Sequence, residues 1–270
     1  GLPLPLFIKW DDNEYALRCK EAGFPTVTWP GVAIWHMAWA DKDDAIDWQA
    51  YFHMRNRLIV AAIYGPDDPS AMLKNMRKST HKHVMCMEYS TIAIQNEAME
   101  DFLKGPDQLF GILESSLPRI QEIRKNYSDA QVLPSATELP APTGAPGVPT
   151  RNIGGRLAKV KKLPWAAKAV LHQRKQEDRA HWDAPQLSLT ADEARWYTLA
   201  RVDSATVSTA GGTGVAFRKR DKQLASELSA RNKELQDEIK ARWPELKREY
   251  REARPELTNR ENWGKIFDAQ

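Results

Sequence analysis

The stretch Leu4-Pro5-Leu6-Phe7-Ile8-Lys9-Trp10-Asp11-Asp12-Asn13-Glu14-Tyr15 decides the fold class. The apolar run from Leu4 to Lys9 reads as a buried strand, and the acidic pair after it sits where open α/β sheets place their ligands. Residues 14–22 fit a helix stopped by Gly23. Asp11 and Asp12 therefore stand at a strand-to-helix junction. Asp11 and Glu14 have capping-box spacing, with Asp replacing Ser or Thr, so Asp11 is suited to accept from free amides of the first turn. Asp12 is then left to face a cleft. An exposed carboxylate with a pKa near ~3.9 is ionised at neutral pH and can take a proton. A double helix cap accounts for the same spacing.

Residues 24–36 hold two β-rich runs flanking Pro30-Gly31, which read as a hairpin or paired edge strands ending in His36. A histidine among aromatics is usually a packed core residue; next to a diphosphate site it would instead suit an oxygen-rich metal centre. Residues 43–64 follow helical spacing, and His53 and Arg57 lie one turn apart. Within this helix, Tyr51-Phe52-His53-Met54-Arg55-Asn56-Arg57-Leu58 embeds a basic cluster among aromatics. Its arginines are either solvated or turned onto a phosphate or sugar.

These three blocks, in this order, resemble the second half of the inverting, GT-A-fold glycosyltransferases, a large family that includes rhamnosyl- and galactofuranosyltransferases. The nearest likeness is to galactan-polymerising, UDP-galactofuranose-dependent members. The resemblance implies an α/β fold, the C-terminal part of a GT-A (Rossmann-like) domain followed by a mainly α-helical C-terminal region. It makes Asp12 the general base, with Asp11 beside it, and His36 a ligand of Mn²⁺ or Mg²⁺. His53 and Trp10 would lie at the acceptor side of the active site. It also implies a UDP-galactofuranose donor, a lipid-linked galactan acceptor, a homotetramer, and a peripheral place on the cytoplasmic face of the plasma membrane. The alternatives are another GT-A transferase, such as a rhamnosyltransferase, or a non-catalytic helical module for oligomerisation or membrane contact. Such enzymes carry a nucleotide-binding half and an Asp-x-Asp motif ahead of the base-bearing strand. Here Asp41-Lys42-Asp43 has that spacing but follows His36, where it reads as a turn and helix cap. The chain alone is expected to be inactive.

The rest of the chain shows organisation rather than chemistry. Apolar runs fall well short of the ~18 residues that suggest a membrane span. Cys19 and Cys86 give no metal or disulfide framework. Residues 70–104 read as one or two helices with core methionines, Gly105-Pro106 as a break, and residues 107–127 as a second amphipathic helix. The expected divisions are 1–65 (catalytic domain), 66–128 (helical), 129–155 (a Pro/Gly-rich linker or surface-laid segment) and 156–270 (mainly helical).

Residues 151–175 carry eight Lys or Arg and no Asp or Glu, although the net charge is only +3. With Leu, Val and Trp between the lysines, this segment suits either an anionic membrane surface or an acidic patch on protein. No recognition module accompanies the charge, so nucleic acid is not expected as a partner. Residues 205–209 suggest a strand, and Gly211-Gly212-Thr213-Gly214 a turn lacking the ending of a phosphate loop. Residues 218–241 read as a charged helix with a narrow apolar stripe, interrupted or restarted at Pro244.

Overall fold

The computed structural model describes residues 1–33, 35, 42–150 and 158–268, with the side chains of 158–162 and 268 left undescribed. Helix α1 (Asp11–Glu21) is followed by α2 (Gln49–Tyr64), α3 (Ser70–Met85), α4 (Tyr89–Leu103) and α5 (Ser116–Arg124). Strand β1 (Val132–Leu133), α6 (Ala158–Arg174), β2 (Leu187–Leu189), the one-turn α7 (Trp196–Leu199), β3 (Ser204–Ser208) and β4 (Val215–Lys219) come next. The long α8 (Lys222–Leu257) and α9 (Arg260–Asp268) close the chain. The fold is mixed α/β, with a small sheet among helices.

The main core packs α2, α4 and α8 together with Leu4 and Leu6. Leu58, Ile59, Ile94, Phe102, Ile239 and Trp243 are wholly shielded there. A second core joins the corner between α3 and α4 to the sheet through Met87, Ile92, Leu199, Val202 and Val207. Helix α8 serves both: Leu224 and Leu228 reach the second core, and Leu235, Ile239, Trp243, Leu246 and Tyr250 the first. At 36 residues it extends ~54 Å and ties the two together.

The sheet order is β1-β4-β3-β2, with β2 parallel to β3 and the other pairs antiparallel. The glycine stretch is the hairpin turn between β3 and β4, closed by Thr209 N–H to Gly214 O at 2.9 Å. Part of the Pro/Gly-rich stretch belongs to this sheet. Val132 and Leu133 pair with Ala216 and Val215. Thr143 and Gly144 donate to the Pro185 and Gln186 carbonyls at 2.9 and 3.0 Å.

Several expectations are corrected. Residues 4–9 form no strand; the sheet lies elsewhere, and their carbonyls are taken by side chains of α2. Residues 24–33 and 35 form no strand either. A turn at Pro30-Gly31 does appear, with Val32 N–H to Trp29 O at 3.3 Å and Gly31 at φ 82°, but among the described residues no strand pairs the flanks. Phe24, Val27, Trp29, Val32 and Trp35 are exposed there. The helix expected over 107–127 shortens to α5, preceded by turns. Arg218 belongs to β4, and α8 starts four residues later, capped by Asp221 Oδ1 accepting from Leu224 N–H at 2.9 Å. It runs unbroken through Pro244.

Candidate active site

The acidic pair opens α1, one turn earlier than its apolar pattern suggested. The residue before the helix is Trp10, whose left-handed backbone (φ 66°) carries no capping side chain, so the Asp11 capping box is not formed. Asp11, Asp12 and Glu14 crowd the first turn, where the helix dipole favours negative charge. Glu14 is the structural member: fully buried, it accepts from Tyr64 Oη at 2.8 Å and pairs with Arg18 at 3.3 Å. Asp12 is exposed. Its Oδ1 accepts from the backbone and side-chain nitrogens of Asn13 at 2.7 and 3.2 Å, and Oδ2 makes no bond among the described residues.

The loop leading to the pair is strained and clamped. Phe7, Lys9 and Trp10 all have positive φ, at 61°, 76° and 66°. Such angles cost non-glycine residues energy and persist only where surroundings impose them. The imposing groups are Arg55 and Asn56, both fully buried on α2. Asn56 Nδ2 donates to the carbonyls of Leu6, Ile8 and Lys9 at 2.8, 3.1 and 2.9 Å. Arg55 donates through Nη2 to Leu6 O at 3.0 Å and through Nε to Asn56 Oδ1 at 3.0 Å. Arg55 thus faces neither solvent nor a phosphate; it holds backbone. Its Nη1 also meets Tyr51 Oη at 3.2 Å, and that hydroxyl donates to Asp101 at 2.5 Å. Burial, first of all, pushes the Tyr51 phenol up to about 12, so it stays a donor at neutral pH.

Trp10 and His53 are brought together: the indole Nε1 donates to His53 Nδ1 at 3.1 Å. Burial of the ring, then the charges of Arg57 and Lys9, hold the imidazole below its ordinary value. Lys9 pairs with Asp44 in the segment before α2. The structure thus brings Trp10 and His53 together, while Asp11 and Asp12 follow Trp10 in the first turn of α1. His36 and Asp41 lie outside the described residues. Among the described residues no three His, Cys, Asp or Glu side chains are grouped to hold a metal. The His81-Lys82-His83 run separates as helical geometry requires: His81 Nδ1 meets Arg77 O at 2.6 Å, and His83 turns inward to Glu88 at 2.7 Å.

The Asn56 clamp was the main feature not read from the sequence. Its only trace was a polar Arg-Asn pair inside an aromatic helix.

Comparison with known proteins places the chain among glycosyltransferase families. Residues 72–269 match the family described as galactofuranosyltransferase-2, domain 3, and the chain belongs to that family. It is 52% identical over 222 residues to the galactofuranosyltransferase GlfT2 of Mycolicibacterium smegmatis, covering 82% of this chain and 34% of that protein. It is 52% identical over 231 residues to the galactofuranosyltransferase GlfT2 of Mycobacterium tuberculosis, covering 82% and 35%. The chain therefore spans about a third of the length of these relatives. The family match starts after α2, so it bears on the helical body and sheet and leaves Asp11 and Asp12 to their own geometry.

Proposed function

We propose that this chain is the acceptor-side part of an inverting galactofuranosyltransferase. It would act with the nucleotide-binding half of a GT-A domain to move galactofuranose from UDP-galactofuranose to a growing lipid-linked galactan. The observation that carries this reading is the 52% identity to two galactofuranosyltransferases. The geometry that supports the base assignment is an exposed Asp12 with Oδ2 unengaged among the described residues, following a clamped loop whose last residue, Trp10, holds His53.

Asp12 Oδ2 takes the proton of an acceptor hydroxyl as that oxygen attacks the anomeric carbon. The bond from that carbon to the UDP oxygen breaks on the opposite face, and UDP leaves with the bonding pair. A positioned base contributes ~10²–10⁴-fold. Trp10 offers the acceptor an aromatic face, and neutral His53, engaged by Trp10 at Nδ1, keeps its proton on Nε2. A divalent cation, Mn²⁺ or Mg²⁺, would be held in part by His36 and would neutralise diphosphate charge. The described residues form no metal cluster of their own, and no step here is routed through the ion.

Helix α6 exposes Leu163, Val170 and Leu171 in the basic segment, which supports a peripheral membrane contact; a place on the cytoplasmic face is part of the same proposal. No helix among the described residues is long and apolar enough to cross a membrane. Homotetramer formation is part of the same proposal, and light scattering on the purified chain tests it.

The decisive experiment exchanges this chain for the matching third of the M. smegmatis relative and measures UDP release onto a galactofuranosyl acceptor with Mn²⁺ present. The chimera is expected to turn over, and Asp12→Asn to lower its rate by ~10² or more with UDP binding unchanged. Undiminished turnover in Asp12→Asn would move the base elsewhere. Release with a rhamnosyl donor alone would replace the donor assignment.

A further inference from the structure

A half-open cavity of about 510 Å³, which Asp12 does not line, lies between the corner of α3 and α4, the segment before α2, residues 191–197 and the β3–β4 hairpin. Arg218 lines it and is only 5% exposed. Its Nη1 donates to Cys86 O at 3.1 Å and to Glu88 Oε1 at 2.7 Å, while its buried Nε has no acceptor. Buried guanidinium N–H groups are normally satisfied, so this wall holds a cation whose demand for acceptors the chain does not fully meet.

The rim strengthens that demand. Lys82 and Arg195 both line the cavity and are exposed, and among the described residues neither side chain makes a hydrogen bond or ion pair. Lys42 lines it as well. Of the three carboxylates present, Glu88 is taken by His83 and Arg218, Asp43 accepts from Ala210 N–H at 2.9 Å, and Asp192 accepts from Thr190 Oγ1 at 2.6 Å. Two guanidinium groups and the Lys82 ammonium lining one space suit the oxygens of a phosphate group. Trp196 and Tyr197 supply an aromatic wall.

We infer that this cavity binds a phosphate-bearing ligand, with Lys82, Arg195 and Arg218 as its donors. The inference does not rest on the role of Asp12 or on the donor sugar. The phosphate can come from a soluble diphosphate or from a lipid headgroup, and two probes separate these sources. Calorimetry with inorganic pyrophosphate tests the first. Sedimentation with phosphatidylglycerol-containing vesicles, against pure phosphatidylcholine, tests the second.

The variant is Lys82→Ala with Arg195→Ala, both at exposed positions, which leaves the buried Arg218–Glu88 pair intact. The control is Lys125→Ala with Lys233→Ala, equally exposed cations far from the cavity in the chain. For at least one probe, binding is expected to weaken about tenfold or more in the first variant, unchanged in the control. That probe identifies the source. The inference is overturned if neither probe binds, or if the two variants bind alike while circular dichroism shows both folded.

Discussion

The Trp10 indole donates to Nδ1 of His53 at 3.1 Å, with the two ring centroids 5.8 Å apart. Indole nitrogen can only donate, so Nδ1 is the acceptor and the neutral ring carries its proton on Nε2. The bond therefore fixes the tautomer as well as the position of His53.

Trp10→Phe keeps an aromatic ring but removes the donor. Because donation to Nδ1 stabilises the neutral imidazole, the His53 midpoint should move up in this variant, read by NMR titration. Arg57→Gln should move it in the same direction, since the Arg57 charge acts after burial to hold it down. In the native chain the folded value lies below the unfolded one near ~6.5, so the unfolded state takes up the proton first and stability falls as pH drops through that region. A midpoint indifferent to both substitutions would count against the bond in solution.

Asn56→Ala should be among the most damaging changes near the site. Two amide hydrogens serve the carbonyls of Leu6, Ile8 and Lys9, and their loss leaves backbone acceptors unsatisfied beside three positive-φ residues. A destabilisation of ~2–3 kcal/mol is expected in urea unfolding. In the chimera, kcat should fall more than KM rises, because the clamp places Asp12 without touching substrate.

Asp203 sets an acid limit to stability. Burial works to raise its carboxyl, but hydrogen bonds from His172 and Arg220, and from the Asp178 backbone, outweigh it and bring it down to about 2. A carboxyl lowered on folding adds stability above its unfolded value, near 3.8, and loses it as pH falls toward about 2. The stake is ~2 kcal/mol. Asp203→Asn should be less stable at neutral pH and should flatten the native loss of stability between about pH 4 and 2. Equal slopes in the two proteins would remove Asp203 as the cause.

Much of the helical body was legible because α4 and α8 carry their apolar residues at helical spacing. The β3 strand and its glycine turn were legible from β-branched residues next to a glycine cluster. What failed has common physical causes. The run from Leu4 to Lys9 has strand composition, but its carbonyls go to Asn56 and Arg55, a tertiary choice that local pattern does not encode. β1 is two residues long, too short to show a period, and its pairing is set by β4 some eighty residues later. Pro244 looked like a helix break, yet Trp243 Nε1 to Pro66 O, and Lys247 Nζ to Gly65 O, bind that region of α8 onto the end of α2 at 3.1 and 2.8 Å. For the site itself, the acidic pair was visible in the sequence, whereas the clamp that holds it was visible only as an unexplained Arg55-Asn56.

Gly214 tests whether β1 is an integral part of the sheet. A Cβ at this position would stand 2.4 Å from Leu133 O and 2.6 Å from Val132 Cγ1. The first obstacle is backbone, so a rotamer change cannot relieve it. Gly214→Ala should therefore push β1 off β4 while sparing the β3–β4 ladder, in which Val207 faces Ala216 and Thr206 faces Phe217. Hydrogen exchange is expected to speed up at the β1 amides of residues 132–133 and to stay slow at the amides of β3. A Gly211→Ala control meets nothing closer than Thr213 Cγ2 at 3.9 Å and should leave β1 protected. If Gly214→Ala leaves exchange at residues 132–133 unchanged, β1 does not pack on β4 as described.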